Sequence, residues 1–217
     1  MRSYFPAVFS AAMCASLWVA DAATIKKPEI ASRAAWGAKP AEPTLMTPQP
    51  KGGFNGIVVH ANDVYFRQRE GVSNAEKIRR VQNGHMIFDH QWGDIAYHYF
   101  IAKDGWIAEA RSLAYIGDSG TTYDMNAKIL VVLEGNFEGG EVTLKDGTKE
   151  VWEPDLPTAA QKRSLDRLVA WLAKQHKIDA QAISAHKDHV ITRCPGQKLM
   201  AYLPELRSKT KKALTRR

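Results

Sequence analysis

Gly56-Ile57-Val58-Val59-His60 is the stretch that decides the fold class of this chain. It is β-branched and apolar without interruption, the pattern of a strand covered on both faces, and its last residue emerges at the edge of the sheet. Ile129-Leu130-Val131-Val132-Leu133 repeats the pattern and predicts a second central strand. Elsewhere the hydrophobic period is helical. Ser73 and Glu76 have capping-box spacing ahead of Ile78, Val81, His85 and Phe88, which predicts a helix from Asn74 to Asp89. Thr158 and Gln161 cap another, with Leu165, Leu168, Val169 and Leu172 as its apolar stripe. Ala182 to Ala185 predicts a short strand, and Leu199 to Leu206 a terminal helix interrupted by Pro204. Strands alternating with amphipathic helices predict an α/β fold, a single domain with a mixed central β-sheet flanked by helices.

Two hairpins complete the pattern. Asp104-Gly105 joins Ala96–Ile101 to Trp106–Arg111 as a two-residue turn. In that register Tyr97, Tyr99 and Ile101 share a face with Ala108 and Ala110, and His98 and Phe100 share the other with Glu109 and Arg111. Asp146-Gly147, with Val142 and Leu144 before it and Val151 and Trp152 after it, predicts a peripheral hairpin at the rim of a cleft.

The 217 residues, 45% hydrophobic and 24% charged, suit one globular domain rather than a disordered or fibrous chain. Arg2, the apolar stretch Tyr4–Ala20 and the small-residue pattern Ala20-Asp21-Ala22 read as a signal peptide over residues 1–22, hence export to the periplasm or the exterior. An uncleaved anchor is the alternative; no other segment reaches the roughly 20 apolar residues of a membrane span. Residues 23–50 read as an extended lead-in, in which Trp36 packs on the domain's flank. The net charge of +7 draws the protein to anionic surfaces, and much of the excess sits in residues 207–217, a basic, solvated tail. No nucleic-acid motif accompanies it, nor a basic helix interleaved with aromatics.

Chemistry concentrates in Ala182-Ile183-Ser184-Ala185-His186-Lys187-Asp188-His189-Val190-Ile191-Thr192-Arg193-Cys194-Pro195-Gly196. Once Cys14 leaves with the signal peptide, Cys194 is the only cysteine of the mature chain. A lone thiol in an oxidising compartment is a liability unless something occupies it, and zinc would; the plainer reading is a small buried hydrophobe. His186 eight residues earlier and the Pro195-Gly196 turn favour the metal. A catalytic zinc takes three protein ligands, and His60 is the best third donor. His98 and His189 are reserve ligands, His85 reads as packing, and His90 as surface. Glu109 reads either as a base in the cleft or as a structural ion-pair partner.

The chain from Ile30 to Leu206 resembles the zinc-dependent N-acetylmuramoyl-L-alanine amidases of the superfamily that includes the peptidoglycan recognition proteins. The resemblance is carried by Ser32-Arg33-Ala34-Ala35-Trp36-Gly37-Ala38, by Ile57–His60, by Trp92–Tyr99 with Lys103-Asp104-Gly105 and Glu109-Ala110-Arg111, and by His186-Lys187-Asp188 with Thr192–Gly196. It implies zinc held by His60, His186 and Cys194 in a domain spanning 51–206, and catalytic positions at Tyr97 and Thr192. It also implies cleavage of the amide between N-acetylmuramic acid and the L-alanine of the stem peptide. Three departures stand out. Thr192 occupies a place where some members carry lysine, so charge would have to come from Arg193 or Lys187, which with Glu109 are candidate substrate-binding residues. Gly117-Asp118-Ser119 replaces a frequent histidine, and Ala61 a frequent His or Thr. A recognition module that binds the muramyl peptide without cutting it is the alternative, and a zinc hydrolase acting on another amide is a third reading.

Overall fold

A computed structural model describes residues 25–62, 71–88, 90–143 and 146–216. The segment read as a signal peptide, the expected helix end at Asp89 and Leu144 of the second hairpin lie outside the described residues. Among those described, β1 (Gly56–Asn62), β2 (Tyr99–Ile101), β3 (Ile107–Glu109), β4 (Lys128–Glu134) and β7 (Ile183–Ala185) form one sheet in the order β3-β2-β4-β1-β7. The β2–β4, β4–β1 and β1–β7 pairs are parallel and β2–β3 is antiparallel, so the sheet is mixed. Among the described residues β5 (Gly140–Thr143) and β6 (Lys149–Trp152) pair only with each other.

The two apolar runs are central because each is covered on both sides. Ile57, Val59, Ile129, Val131 and Leu133 pack with Leu165, Leu168, Val169 and Leu172 of α2 (Ala159–His176) and with Leu203 and Leu206 of α4 (Leu203–Thr215). On the other face Phe100, Ala108 and Val132 pack with Trp36 and with Ile78 and Val81 of α1 (Asn74–Asn83). Strand alternation puts Val58 and His60 on this second side. His60 does not end its strand: pairing runs on through Ala61↔Leu133 and Asn62↔Glu134, so the histidine lies within β1 and points from its face.

Three further expectations change. The first hairpin turns through three residues, Lys103 to Gly105, not two: Gly105 N–H and Ala102 N–H donate at 2.9 Å to Ala102 and Trp106 carbonyls, and Gly105 takes φ +89°. That geometry, a three-residue loop closed by a left-handed residue, shifts the register by one. Tyr99 therefore faces Glu109, and Phe100 faces Ala108. Second, α1 caps as predicted, with Ser73 Oγ accepting from Glu76 N–H at 3.2 Å, but passes at Gly84–Phe88 into a π turn. The extra residue in that turn keeps His85 buried and leaves Phe88 exposed.

Third, Pro204 starts a helix rather than interrupting one, since the first turn needs no proline N–H. After the short α3 (Gln197–Met200), α4 runs to Thr215, so most of the segment read as a tail is helical. Leu206 and Thr210 are buried, and Arg207 Nε donates at 2.6 Å to the Ile183 carbonyl on β7. Trp36, in the expected lead-in, is fully buried, and its Nε1–H donates to the Glu109 carbonyl at 2.8 Å.

Candidate functional site

Parallel pairing of β1 with β7 brings the first two donors together. Val59 sits opposite Ala185, so His60 and His186 follow at the next position of neighbouring strands, with ring centroids 4.6 Å apart. Past β7 the chain folds into a 3-10 turn, His186–Asp188, held by the Asp188 carboxylate accepting from Ala185 N–H at 2.9 Å. Arg207 of α4 braces both the strand and Asp188.

Cys194 arrives on the loop that follows. The Cys194–Pro195 bond is cis, and Gly196 takes φ +92° where a Cβ would come within 2.3 Å of the Phe137 carbonyl carbon. Only glycine lets this loop lie so close to the segment leaving β4. Gln197 N–H donates to Glu138 Oε2 at 2.7 Å and Lys198 N–H to the Phe137 carbonyl at 3.1 Å, which hold it there. The Cys194 Sγ lies 3.7 Å from His60 Nδ1 and accepts from Ala61 N–H at 3.4 Å.

His60, His186 and Cys194 thus offer three donor atoms within 4.8 Å of one another, the one such His/Cys/carboxylate group among the described residues. The donor set fits zinc, which takes imidazole nitrogen and thiolate together. A second observation agrees. His186 Nδ1 is buried and has no hydrogen-bond partner among the described residues, whereas Nε2 is within 2.6 Å of Thr121 Oγ1 and 3.3 Å of Ser119 Oγ. Burial, then the neighbouring His186, holds the pKa of His60 well below its ordinary value, and burial, then His189, lowers that of His186 to about 4. Both rings are therefore neutral near pH 7, with a lone pair to give a metal.

Around this core the other predicted residues separate. Tyr97 is half-buried on the His60 side of the sheet, 5.2 Å from the His60 ring. Thr192 Oγ1 accepts from Cys194 N–H at 3.2 Å, so it shapes the ligand loop. Arg193 donates to the Gly139 carbonyl at the base of the β5–β6 hairpin, and Lys187 is exposed beside His186. Glu109 is exposed and lies opposite Tyr99, whose ring belongs to the α2-side core, so the carboxylate is on the other side of the sheet from His60. Neither reserve histidine joins the triad. His98 is fully buried, with Nδ1 accepting from Leu130 N–H and Nε2 bonded to the Tyr115 carbonyl. His189 is exposed, bonded to Ser184 Oγ at 2.8 Å and stacked on Tyr123.

Sequence reasoning missed Tyr123 and Thr121. Tyr123 Oη is 3.1 Å from His60 Nε2, and its ring lies 5.0 Å from that of His186. Burial, then the adjacent Cys194, raises its pKa. Both residues come from the stretch between β3 and β4 that crosses the His60 face of the sheet. Gly117 holds that crossing close, since a Cβ there would meet Leu130 Cδ1 at 2.3 Å. The signal available was a polar run, Asp118-Ser119-Gly120-Thr121-Thr122-Tyr123, a few residues ahead of the apolar run Ile129–Leu133. Among the described residues, a cavity of about 590 Å³ elsewhere, between Ile25–Glu29 and the outer sides of α2 and α4, is lined by no histidine or cysteine.

Comparison with known proteins agrees with this architecture. Peptidoglycan recognition protein SD of Drosophila superposes with TM-score 0.65 at 21% identity, over 82% of this chain and 95% of that one. The N-acetylmuramoyl-L-alanine amidase LysC of Clostridium intestinale superposes with TM-score 0.58 at 22% identity, over 84% of this chain and 97% of the other. Peptidoglycan recognition protein LE, in complex with tracheal cytotoxin, a monomeric diaminopimelic acid-type peptidoglycan, gives 0.62 at 22%, over 81% and 92%. At these identities the likeness establishes the fold. No curated protein matches the chain by sequence. The family model described as N-acetylmuramoyl-L-alanine amidase matches residues 50–197, a span that takes in all three donors and more than half of the 217 residues, so the chain belongs to that family.

Proposed function

We propose that this protein is an exported, zinc-dependent hydrolase that cuts the amide between the lactyl group of N-acetylmuramic acid and the L-alanine of the peptidoglycan stem peptide. The observation that carries the reading is the convergence of His60, His186 and Cys194, with His186 Nδ1 buried and otherwise unpaired. Recognition of muramyl peptide alone does not require a complete His/His/Cys donor set. Zinc, when bound, supplies Lewis acidity, making water nucleophilic near neutral pH and polarising a carbonyl. The chain's own residues do the rest. Tyr97, beside His60, donates its phenolic hydrogen to the carbonyl oxygen of the scissile amide as negative charge grows there. Thr192 holds the Cys194 backbone in place, and Lys187, exposed next to His186, is set to pair with a stem-peptide carboxylate. The cationic surface favours a polyanionic wall, and among the described residues no helix is long and apolar enough to cross a membrane.

The test is release of stem peptides from purified peptidoglycan, followed by mass spectrometry, with a chelator and Cys194→Ala as controls. Free stem peptides and intact glycan strands, lost in both controls and strongly reduced in Tyr97→Phe, are the expected result. A protein that holds zinc and binds the wall but releases nothing would be a recognition module instead.

A further inference from the structure

The two ligand histidines share a feature. The ring nitrogen of each that is turned away from the triad meets a hydroxyl, and both hydroxyls come from one loop. His60 Nδ1 faces Cys194 Sγ at 3.7 Å while its Nε2 lies 3.1 Å from Tyr123 Oη. His186 Nδ1 is buried and unpaired among the described residues while its Nε2 lies 2.6 Å from Thr121 Oγ1. A neutral imidazole carries its hydrogen on one nitrogen only, and the nitrogen that gives a lone pair to a metal must be the other. With Nδ1 of both rings on the metal side, both hydrogens belong on Nε2, where the Tyr123 and Thr121 oxygens accept them.

We infer that Thr121 and Tyr123 are positioning residues that lock His60 and His186 in the Nε2–H tautomer and in the ring orientation zinc needs. This rests on the reading of His60, His186 and Cys194 as a metal site. Such partners fix the tautomer and the plane of a ligating imidazole. A hydroxyl does so without placing a negative charge beside the ring, as a carboxylate would.

The loop is built to hold them. Ser119 Oγ bonds to Thr121 Oγ1 at 3.0 Å and accepts from Thr121 N–H at 3.3 Å, which fixes the threonine rotamer. The Asp118 carboxylate pairs with Arg111, which is itself buried. The Tyr123 ring stacks on His189, at 5.2 Å and nearly parallel, and is tilted against the two ligand rings. Both ligands thus depend on one six-residue stretch, so a disturbance at either hydroxyl is felt in the binding of the same ion.

The experiment compares zinc affinity, by competition with a chromophoric chelator, among the wild-type protein and its Thr121→Val, Thr121→Ser, Tyr123→Phe and Cys194→Ser variants. It adds ¹⁵N chemical shifts of the histidine rings. In zinc-loaded wild type both His60 and His186 show a protonated Nε2. Thr121→Val and Tyr123→Phe each weaken zinc binding by about 10-fold or more, within the range for such partners, and Thr121→Ser, which keeps the hydroxyl, restores most of it. If wild type binds zinc and loses it in Cys194→Ser, yet the two hydroxyl-deleting variants bind within about twofold of wild type, the positioning role is overturned and the metal site stands. Protonated Nδ1 on either ring of the zinc-loaded wild type overturns the positioning role as well, with no variant needed. If wild type binds no zinc, or Cys194→Ser binds it equally well, the metal site and this inference fall together.

Discussion

Replacing Arg111 by methionine tests whether the crossing loop is held where the structure puts it. Arg111 is only 1% exposed, and its guanidinium donates to the Ile95 carbonyl at 2.7 Å, the Ile116 carbonyl at 2.6 Å and the Asp94 carbonyl at 3.1 Å, besides pairing with Asp118. Methionine fills much of the same volume but donates nothing. A buried acceptor left without a donor costs about 1–3 kcal/mol. Of the three carbonyl bonds two are buried and the Ile116 one is partly open, while Asp118 is 30% exposed and can turn to water. Two full penalties and a fraction of a third amount to roughly 2–7 kcal/mol, a large share of the 5–15 kcal/mol that stabilises a typical domain. Arg111→Lys should lose less than methionine but clearly more than nothing, because one ammonium cannot serve diverging carbonyls as a planar fork does. The assay is urea unfolding of the metal-free protein at neutral pH. A loss below about 1 kcal/mol in Arg111→Met, or a lysine variant as stable as wild type, would refute this account of the loop's anchorage.

Two other outcomes follow from the site's surroundings. His98, fully buried between Leu130 and Tyr115, has its pKa lowered to about 4, first by burial and also by Arg111, against a backbone hydrogen bond that raises it. The unfolded chain takes up that proton near pH 6.5 and the folded protein does not, so stability is full above that pH and falls as pH drops toward about 4, by about 3 kcal/mol at the limit for this group. NMR titration of His98 in the folded protein checks this, and a midpoint near 6.5 would contradict it. Glu109→Gln, on the far side of the sheet, should leave kcat/KM for peptidoglycan within about twofold, whereas a fall of 100-fold or so would put a general base where the structure places none.

The layered architecture was legible in the chain because it follows from local patterns. Gly56–His60 and Ile129–Leu133 are apolar along almost their whole length, which only a doubly covered strand accommodates, and both became central. Ser73 and Thr158 cap their helices with their own side chains, a choice made within four residues. Where local signals misled, a single residue was responsible. The hairpin at Asp104-Gly105 closes through Lys103 as well, and the shift moves Glu109 to the face away from His60. Nothing in the dipeptide distinguishes a two-residue from a three-residue turn.

The three donors could be named from the sequence because histidine and cysteine are scarce and chemically distinctive. Their meeting is tertiary: parallel pairing of Val59 with Ala185 sets the two histidines side by side, and the close approach of Gly196 to Phe137 brings in the thiol. Thr121 and Tyr123 were invisible for the same reason. Hydroxyl side chains in a polar loop look alike, and what distinguishes these two is hydrogen bonding to rings 65 and 63 residues away along the chain. Residue chemistry and local periodicity thus determined the layers and the donor types, whereas register, loop crossing and hydrogen-bond partners depend on long-range packing that no short window of sequence contains.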